Sequence, residues 1–343
     1  MKFAFIADIH LSRYSQDKLE DETNLPERLH SIKASLYEVA NYCRENDIGV
    51  IIIAGDILHG KSIIYAIAQD IMLQFIEDYE EIDFYIIDGN HDLSGKGEDV
   101  VSALRPLSKY KNVRLINYNQ TLERFNIFFA PYSSNIVDVV KKNTAKILVS
   151  HFGLSEGMLN SGISIISDIK LSDLEGKYEL VLLGHYHKPQ EIIKENIRLY
   201  YVGSLIQLDW GEKDDEKRFL VVDSESLEAE SIPLTNYRKH IEIKLDSKNK
   251  DQVLEIAKKA REDGNHVKII MTETVDVTDV KDDFNIIDRT EVDITNRGIT
   301  SSMSQKDRLK RFLEIKEIPE EKQEAYLQAA LEVLDGCEET NGS

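Results

Sequence analysis

The chain has 343 residues, of which 42% are hydrophobic and 30% charged, with a formal net charge of −20. That composition fits a soluble globular protein of one large domain plus a smaller appendage. It excludes a membrane-spanning chain, since no apolar run reaches the needed length, and it argues against nucleic-acid binding by net charge alone. Bound divalent cations, one basic face or a partner subunit would each soften that last objection.

The chain opens with Lys2-Phe-Ala-Phe-Ile6, which reads directly as a strand with no signal peptide. Buried-strand runs follow at Phe3–Ala7, Val50–Ala54, Phe84–Ile87, Ile127–Ala130, Ile147–Ser150 and Leu180–Leu183. Amphipathic stretches at Leu29–Arg44 and Ile63–Tyr79 have the apolar spacing of helices. Strand–helix alternation predicts a layered α/β fold. Cys43 falls in the first helical stretch and reads as a small core residue. With only one other cysteine, Cys337, the chain has no disulfide framework, and a reducing cytosol is the expected compartment.

From Lys188 to Pro233 the pattern changes to short strands and turns, and a boundary is expected near Leu234–Arg238. Beyond it, Ile241–Leu245 reads as a strand, Lys250–Arg261 as a helix, Val267–Met271 as a strand, Val275–Phe284 as a helix and Ile286–Ile294 as a strand. Two helices, Ser304–Ile315 and Glu320–Leu334, precede a disordered tail. The resulting division is residues 1–235, a small α+β module over 236–300, a helical segment over 301–337 and a tail over 338–343.

Five stretches place metal-ligand side chains just past hydrophobic runs: Asp8-Ile-His10, Gly55-Asp56-Ile-Leu-His59, Gly89-Asn90-His91-Asp92, Ser150-His151 and Gly184-His185-Tyr-His187. Ligand-binding groups at strand C-termini are the general rule in α/β sheets. Asp8 and His10, two apart, would share a face in extended backbone. Gly55 lets the chain turn just before Asp56, whose two oxygens suit a bridge between cations. Asn90 offers a neutral oxygen, and the imidazoles suit manganese, iron and zinc more than magnesium. A mixed oxygen and nitrogen set without thiolate is a poor structural zinc site. Taken singly the pieces are common: Asp-x-His occurs by chance, and Gly-Asn-His is often only a turn.

As an ordered set, the five stretches resemble the calcineurin-like metallophosphoesterases over roughly residues 1–235. Within that superfamily the chain looks most like the nuclease subunit of the double-strand-break repair nuclease–ATPase complexes, the SbcD type, which includes phage recombination endonuclease subunits. The resemblance implies a two-sheet α/β sandwich, then a small capping domain that binds DNA, then C-terminal helices that bind an SMC-like ATPase of the SbcC type. It implies two divalent ions, usually Mn2+. Asp8, His10, Asp56 and His187 would hold one, and Asp56, Asn90, His151 and His185 the other, with Asp56 bridging. His91 would be a catalytic group facing the phosphate, and His59, where Ser/Thr phosphatases carry an aspartate, would position the DNA strand. The plainer alternative for His59 is a surface histidine opening a loop.

Some positions depart from the family pattern without touching a ligand: Ser12 stands where glycine is common, and Leu205 follows Gly203-Ser204 where proline is frequent. The Trp210-Gly-Glu212 stretch is also similar to the family. The implied activity is manganese-dependent exonuclease and endonuclease hydrolysis of DNA in a bacterial or phage-encoded repair complex, by a hydroxide activated between two metals. Homodimers are common among such proteins. The rival readings are a phosphodiesterase for small nucleotides, which the acidic charge favours, and an inactive scaffold, which the filled ligand positions oppose.

Overall fold

The structure, a computed structural model, describes residues 1–13, 25–60, 63–95, 100–158, 167–278, 280, 284–289, 304–316, 318–319 and 322–329. It divides into two compact units, residues 1–241 with 260–266, and residues 242–259 with 267–343.

The first unit is built on two six-stranded mixed sheets. One has the order Ala229–Pro233, Arg218–Asp223, Lys2–Ile6, Val50–Ala54, Asp83–Ile87, Val113–Ile116, and its last four strands run parallel. The other has the order Gln190–Lys194, Ile197–Tyr201, Leu180–Gly184, Ile147–His151, Ile127–Ala130, Gln120–Leu122, with its four central strands parallel. The α/β architecture expected from strand–helix alternation is therefore present, with two mixed sheets.

The period-two geometry of a strand explains how a run of consecutive apolar residues serves two cores at once. In the first sheet Phe3, Phe5, Val50, Ile52, Ala54 and Ile87 belong to one buried cluster, together with Ile127, Phe129, Val149, Leu180 and Leu182 from the second sheet. Their neighbours Ala4, Ile6, Ile51, Ile53, Phe84 and Ile86 face the other way. They pack with Leu29, Ile32, Leu36 and Val39 of the helix Glu27–Glu45 and with Ile71, Phe75 and Ile76 of the helix Ala66–Asp78. On the second sheet Leu148, Val181 and Leu183 pack with Val139 and Val140 of the helix Ile136–Lys142 and Leu171 and Leu174 of the short helix Leu171–Leu174. Cys43 is buried in the first helix, and burial pushes its thiol up to about 12, as suits an inert core residue.

A three-stranded sheet has the order His240–Leu245, His266–Met271, Asn285–Asp288, with the last pair parallel; apart from His240, Ile241 and His266, which belong to the first unit, its residues lie in the second. Leu245, Val253, Ala257, Ile269, Met271 and Phe284 form its core. The helix expected over Val275–Phe284 is not there in the described part of that span: residues 275–277 carry no regular structure and Thr278 lies in a turn. Asp276 instead accepts hydrogen bonds from the Thr278 backbone and hydroxyl at 3.0 and 2.7 Å, a local turn that competes with helix. The strand expected over Ile286–Ile294 is Asn285–Asp288, and residues 290–294 lie outside the described residues. The helix Gln305–Ile315 is capped by Ser304, whose hydroxyl accepts from the Asp307 amide at 3.1 Å. Of the final expected helix, residues 322–329 are described and helical; Cys337 and the tail lie outside the described residues. No helix among the described residues is long and apolar enough to cross a membrane.

Candidate metal centre

Every sequence-predicted site residue leaves the C-terminal end of a parallel strand. Asp8 and His10 follow Lys2–Ile6, Asp56 and His59 follow Val50–Ala54, and Asn90 and His91 follow Asp83–Ile87. His151 ends its strand, and His185 and His187 follow Leu180–Gly184. The parallel pairing puts these ends at one edge of both sheets, and the side chains meet there.

Turning so many side chains to one centre costs backbone freedom. Asp8, His10, Asp56 and His185 have φ of 53°, 52°, 53° and 94°, a region that L residues rarely adopt. Such conformations cost about 1–3 kcal/mol each and persist where surrounding structure enforces them. Here the enforcement is a ladder between two loops: the amides of Asp8, His10 and Leu11 donate to the carbonyls of Gly55, Asp56 and Ile57 at 3.1, 2.9 and 2.8 Å. Asp8 and His10 therefore reach one centre from left-handed backbone, not from the extended strand that the two-residue spacing suggested. Gly89 is required for a different reason. A Cβ there would collide with the backbone and carboxylate of Asp56.

The donor atoms converge in two overlapping groups. Asp8, His10 and His187 form one, with the two imidazole Nε2 atoms 3.0 Å apart, and Asp8, Asp56 and His151 form another; within each group the ligand atoms lie within 4.8 Å of one another. Asn90 Oδ1 lies 3.2 Å from His151 Nε2 and 3.1 Å from His185 Nδ1. Asp56 stands between the groups: its Oδ2 is 3.3 Å from His151 Nε2 and 3.7 Å from His10 Nε2. His59 and His91 form a further group with His10, their own rings stacked 5.2 Å apart.

Hydrogen bonds fix which nitrogen faces the centre. His151 Nδ1 donates to the Ala54 carbonyl at 2.7 Å, and His187 Nδ1 donates to Glu212 at 2.9 Å, so each presents Nε2 inward. His91 Nδ1 donates to the His59 carbonyl at 2.7 Å, which leaves its Nε2 for whatever occupies the site.

Burial dominates the charge balance. Asp8 is pushed up to about 6 by burial, with His151 and His187 pulling it down. Burial also works against the ionised form of Asp56, but His151 and His10 hold its carboxyl well below the usual carboxylate range. Burial would lower His151, yet the Asp56 carboxylate raises it to about 9. Burial, aided by the neighbouring His151, takes His185 down to about 4. It also takes His10 well below the usual imidazole range. Neutral imidazoles and an ionised carboxylate are the states in which these groups bind cations. The proton that Asp56 holds on His151 Nε2 stands where a cation would compete. Oxygen and imidazole donors in this number, aimed at a shared space, fit a pair of divalent cations; among the described residues the site contains no cysteine.

Three supporting residues escaped sequence reasoning. Asp92 is fully buried and accepts from the amides of Leu58 and Gly89, both at 2.9 Å, which ties the Asp56 loop to the Asn90 loop. Burial and the Asp56 charge push it up to about 8. Glu212 orients His187 and also accepts from Ser204 Oγ at 2.9 Å and the Leu208 amide at 3.0 Å. Lys217 is buried against Glu212 at 2.7 Å and donates to the His187 carbonyl at 3.0 Å. The Trp210-Gly-Glu212 stretch was the signal for Glu212, while nothing local marks Lys217.

The sequence profile of the calcineurin-like phosphoesterases matches residues 1–212, and the chain belongs to that family, whose members act with two bound metal ions. More particularly, it is similar to exonuclease subunit 1 of Enterobacteria phage T4, 25% identical over 248 residues that cover 68% of each chain. Among solved structures it is similar to an archaeal phosphodiesterase, 13% identical with a TM-score of 0.38 over 68% of this chain and 100% of that one. It is likewise similar to a dimetal phosphatase from Danio rerio, 12% identical with a TM-score of 0.41 over 68% and 99% of the two chains.

Glu212→Gln keeps the shape but removes the charge that orients His187, and outer partners of metal ligands typically govern affinity 10–100-fold. Calorimetric titration with Mn2+ is expected to show about a tenfold or greater loss for this variant. Wild-type affinity would contradict the orienting role.

Proposed function

We propose that the chain is a manganese-dependent DNA nuclease subunit that hydrolyses phosphodiester bonds as exonuclease and endonuclease and works with an ATPase partner in recombination and repair. The observation that carries this reading is the convergence of Asp8, His10, Asp56, His151 and His187, with Asn90 Oδ1 against His151 and His185, and with His91 grouped beside His10 and His59, its Nδ1 fixed by the His59 carbonyl. The similarity to a phage exonuclease subunit supports DNA as substrate and membership of a complex.

Asp8, His10, Asp56 and His187 would hold one cation, and Asp56, Asn90, His151 and His185 the other. When bound, the pair supplies Lewis acidity at the phosphate oxygens and acidifies water. The chain's own groups do the rest. Asp56 keeps one oxygen fixed by the His91 amide at 2.8 Å and turns the other to both imidazole groups, as a shared ligand must. His91, acting as an imidazolium whose Nδ1–H stays on the His59 carbonyl, hydrogen-bonds the phosphate through Nε2–H and gives that proton to the leaving oxygen, returning to the neutral ring. His59, stacked on His91, holds the strand at the entrance. Burial lowers the His59 imidazole, with His91 and Arg28 adding to the effect, so it acts as a neutral positioning group.

On linear duplex DNA with Mn2+, Asp56→Ala is expected to abolish hydrolysis, as is EDTA. His91→Ala is expected to bind Mn2+ normally with kcat reduced about 10²–10⁴-fold. Near-normal turnover in His91→Ala would remove it from the chemistry.

The partner reading rests on the C-terminal segment. Phe312 is 46% and Tyr326 54% exposed, although both lie on helical residues with apolar neighbours. Residues 301–337 are assigned to an SMC-like ATPase, and residues 236–300 to capping the DNA. Phe312→Glu with Tyr326→Glu in the full chain is expected to lose co-purification with such an ATPase while its circular dichroism stays unchanged. Undiminished co-purification would place the partner elsewhere.

A further inference from the structure

A groove of about 620 Å³ in the first unit begins at the metal centre, for His59 and His187 line it, and runs away past Arg28, Leu208, Trp210, Arg238, His240 and His266. Its volume falls within the roughly 300–1,000 Å³ of small-ligand sites. In a chain of net charge −20 the groove gathers cations: among the described residues its lining holds two arginines, Arg28 and Arg238, against one carboxylate, Asp209, with four histidines beside them. That carboxylate is already engaged, accepting from the Gly211 amide at 2.7 Å.

The aromatic wall of the groove is held rigidly. Trp210, the only tryptophan of the chain, packs edge-on against His240 with centroids 4.8 Å apart, and His240 stacks on His266 at 5.0 Å. The turn that carries Trp210 is pinned at both ends, by Asp209 capping Gly211 and by Glu212 in its buried ion pair with Lys217. Arg28 is anchored by donating to the Leu208 carbonyl at 2.9 Å, and Arg238 by Glu27 at 3.3 Å. An anchored aromatic side chain lining one groove with two anchored guanidinium groups is the chemistry of a nucleotide subsite: bases stack on aromatics with little regard to sequence, and arginine binds phosphate.

We propose that this groove is a binding subsite for one nucleotide of a single DNA strand next to the scissile phosphate, its base on Trp210 and its phosphate on Arg28 and Arg238. The inference rests on the nuclease reading above and deepens it. It places sequence-independent grip beside the metals, and it explains how an acidic chain holds a polyanion without a basic surface overall.

Because Trp210 is alone, its fluorescence reports occupancy directly. The full chain is titrated with a short oligodeoxythymidylate in EDTA, and hydrolysis of the same oligonucleotide is followed separately with Mn2+. Saturable quenching is expected. Arg238→Gln is expected to weaken binding and to lower the slope of log affinity against log salt by roughly 0.7, the value for one phosphate contact on a single strand. Trp210→Ala is expected to raise KM for the oligonucleotide roughly tenfold, with a smaller effect on kcat. Hydrolysis with silent fluorescence, or a salt slope unmoved by Arg238→Gln, would overturn the subsite and leave the nuclease reading standing. Quenching without hydrolysis would support the subsite and sink the nuclease reading. Neither quenching nor hydrolysis would sink both.

Discussion

The structure depends on bringing two buried carboxylates, Asp8 and Asp56, into one space with four imidazoles and an amide oxygen. Buried like charges are costly, and a buried carboxylate without a cationic partner is costlier still. The protein meets part of that cost with its own groups: the His185 amide donates to both oxygens of Asp8, and His151 holds a proton against Asp56. What remains is a concentration of donors suited to divalent cations. The left-handed backbone at Asp8, His10, Asp56 and His185 is the conformational price of that convergence.

The two sheets make the price bearable. Their parallel strands end at the same edge, and the five that lead into the site are buried on both faces along nearly their whole length, so the loops beyond them have little freedom to relax. Asp92 then welds the Asp56 and Asn90 loops through two amides, and Glu212 ties His187 to a turn more than twenty residues further on. Charge, backbone strain and packing therefore support one another around a single centre, and the chemistry proposed for it needs no moving part.

Much of this was legible in the sequence because each ligand directly follows a hydrophobic run, so strand position and strand end could be read together. Asp56 after Val50–Ala54 and His185 after Leu180–Gly184 are the plainest examples. What was not legible depends on tertiary contact. Lys217 looks like any surface lysine, yet it is buried beside Glu212. Asp92 closes the Gly89-Asn90-His91-Asp92 stretch with no role of its own in the sequence, and only the fold brings the Leu58 amide to it. The spacing of Asp8 and His10 suggested extended backbone, but the hydrogen bonds to the neighbouring loop impose the opposite conformation. The apolar spacing of Val275–Phe284 suggested a helix, where Asp276 forms a turn of its own.

The acidity of the chain favours a small substrate, while the arginine- and tryptophan-lined groove and the exposed aromatic residues of the C-terminal helices favour a polymer and a partner. The most direct arbiter is catalytic efficiency with Mn2+ on linear duplex DNA against that on a small aryl phosphodiester. The account predicts that kcat/KM for DNA exceeds that for the small diester by several orders of magnitude. Comparable or greater efficiency on the small diester would contradict it and make the protein a phosphodiesterase of small nucleotides.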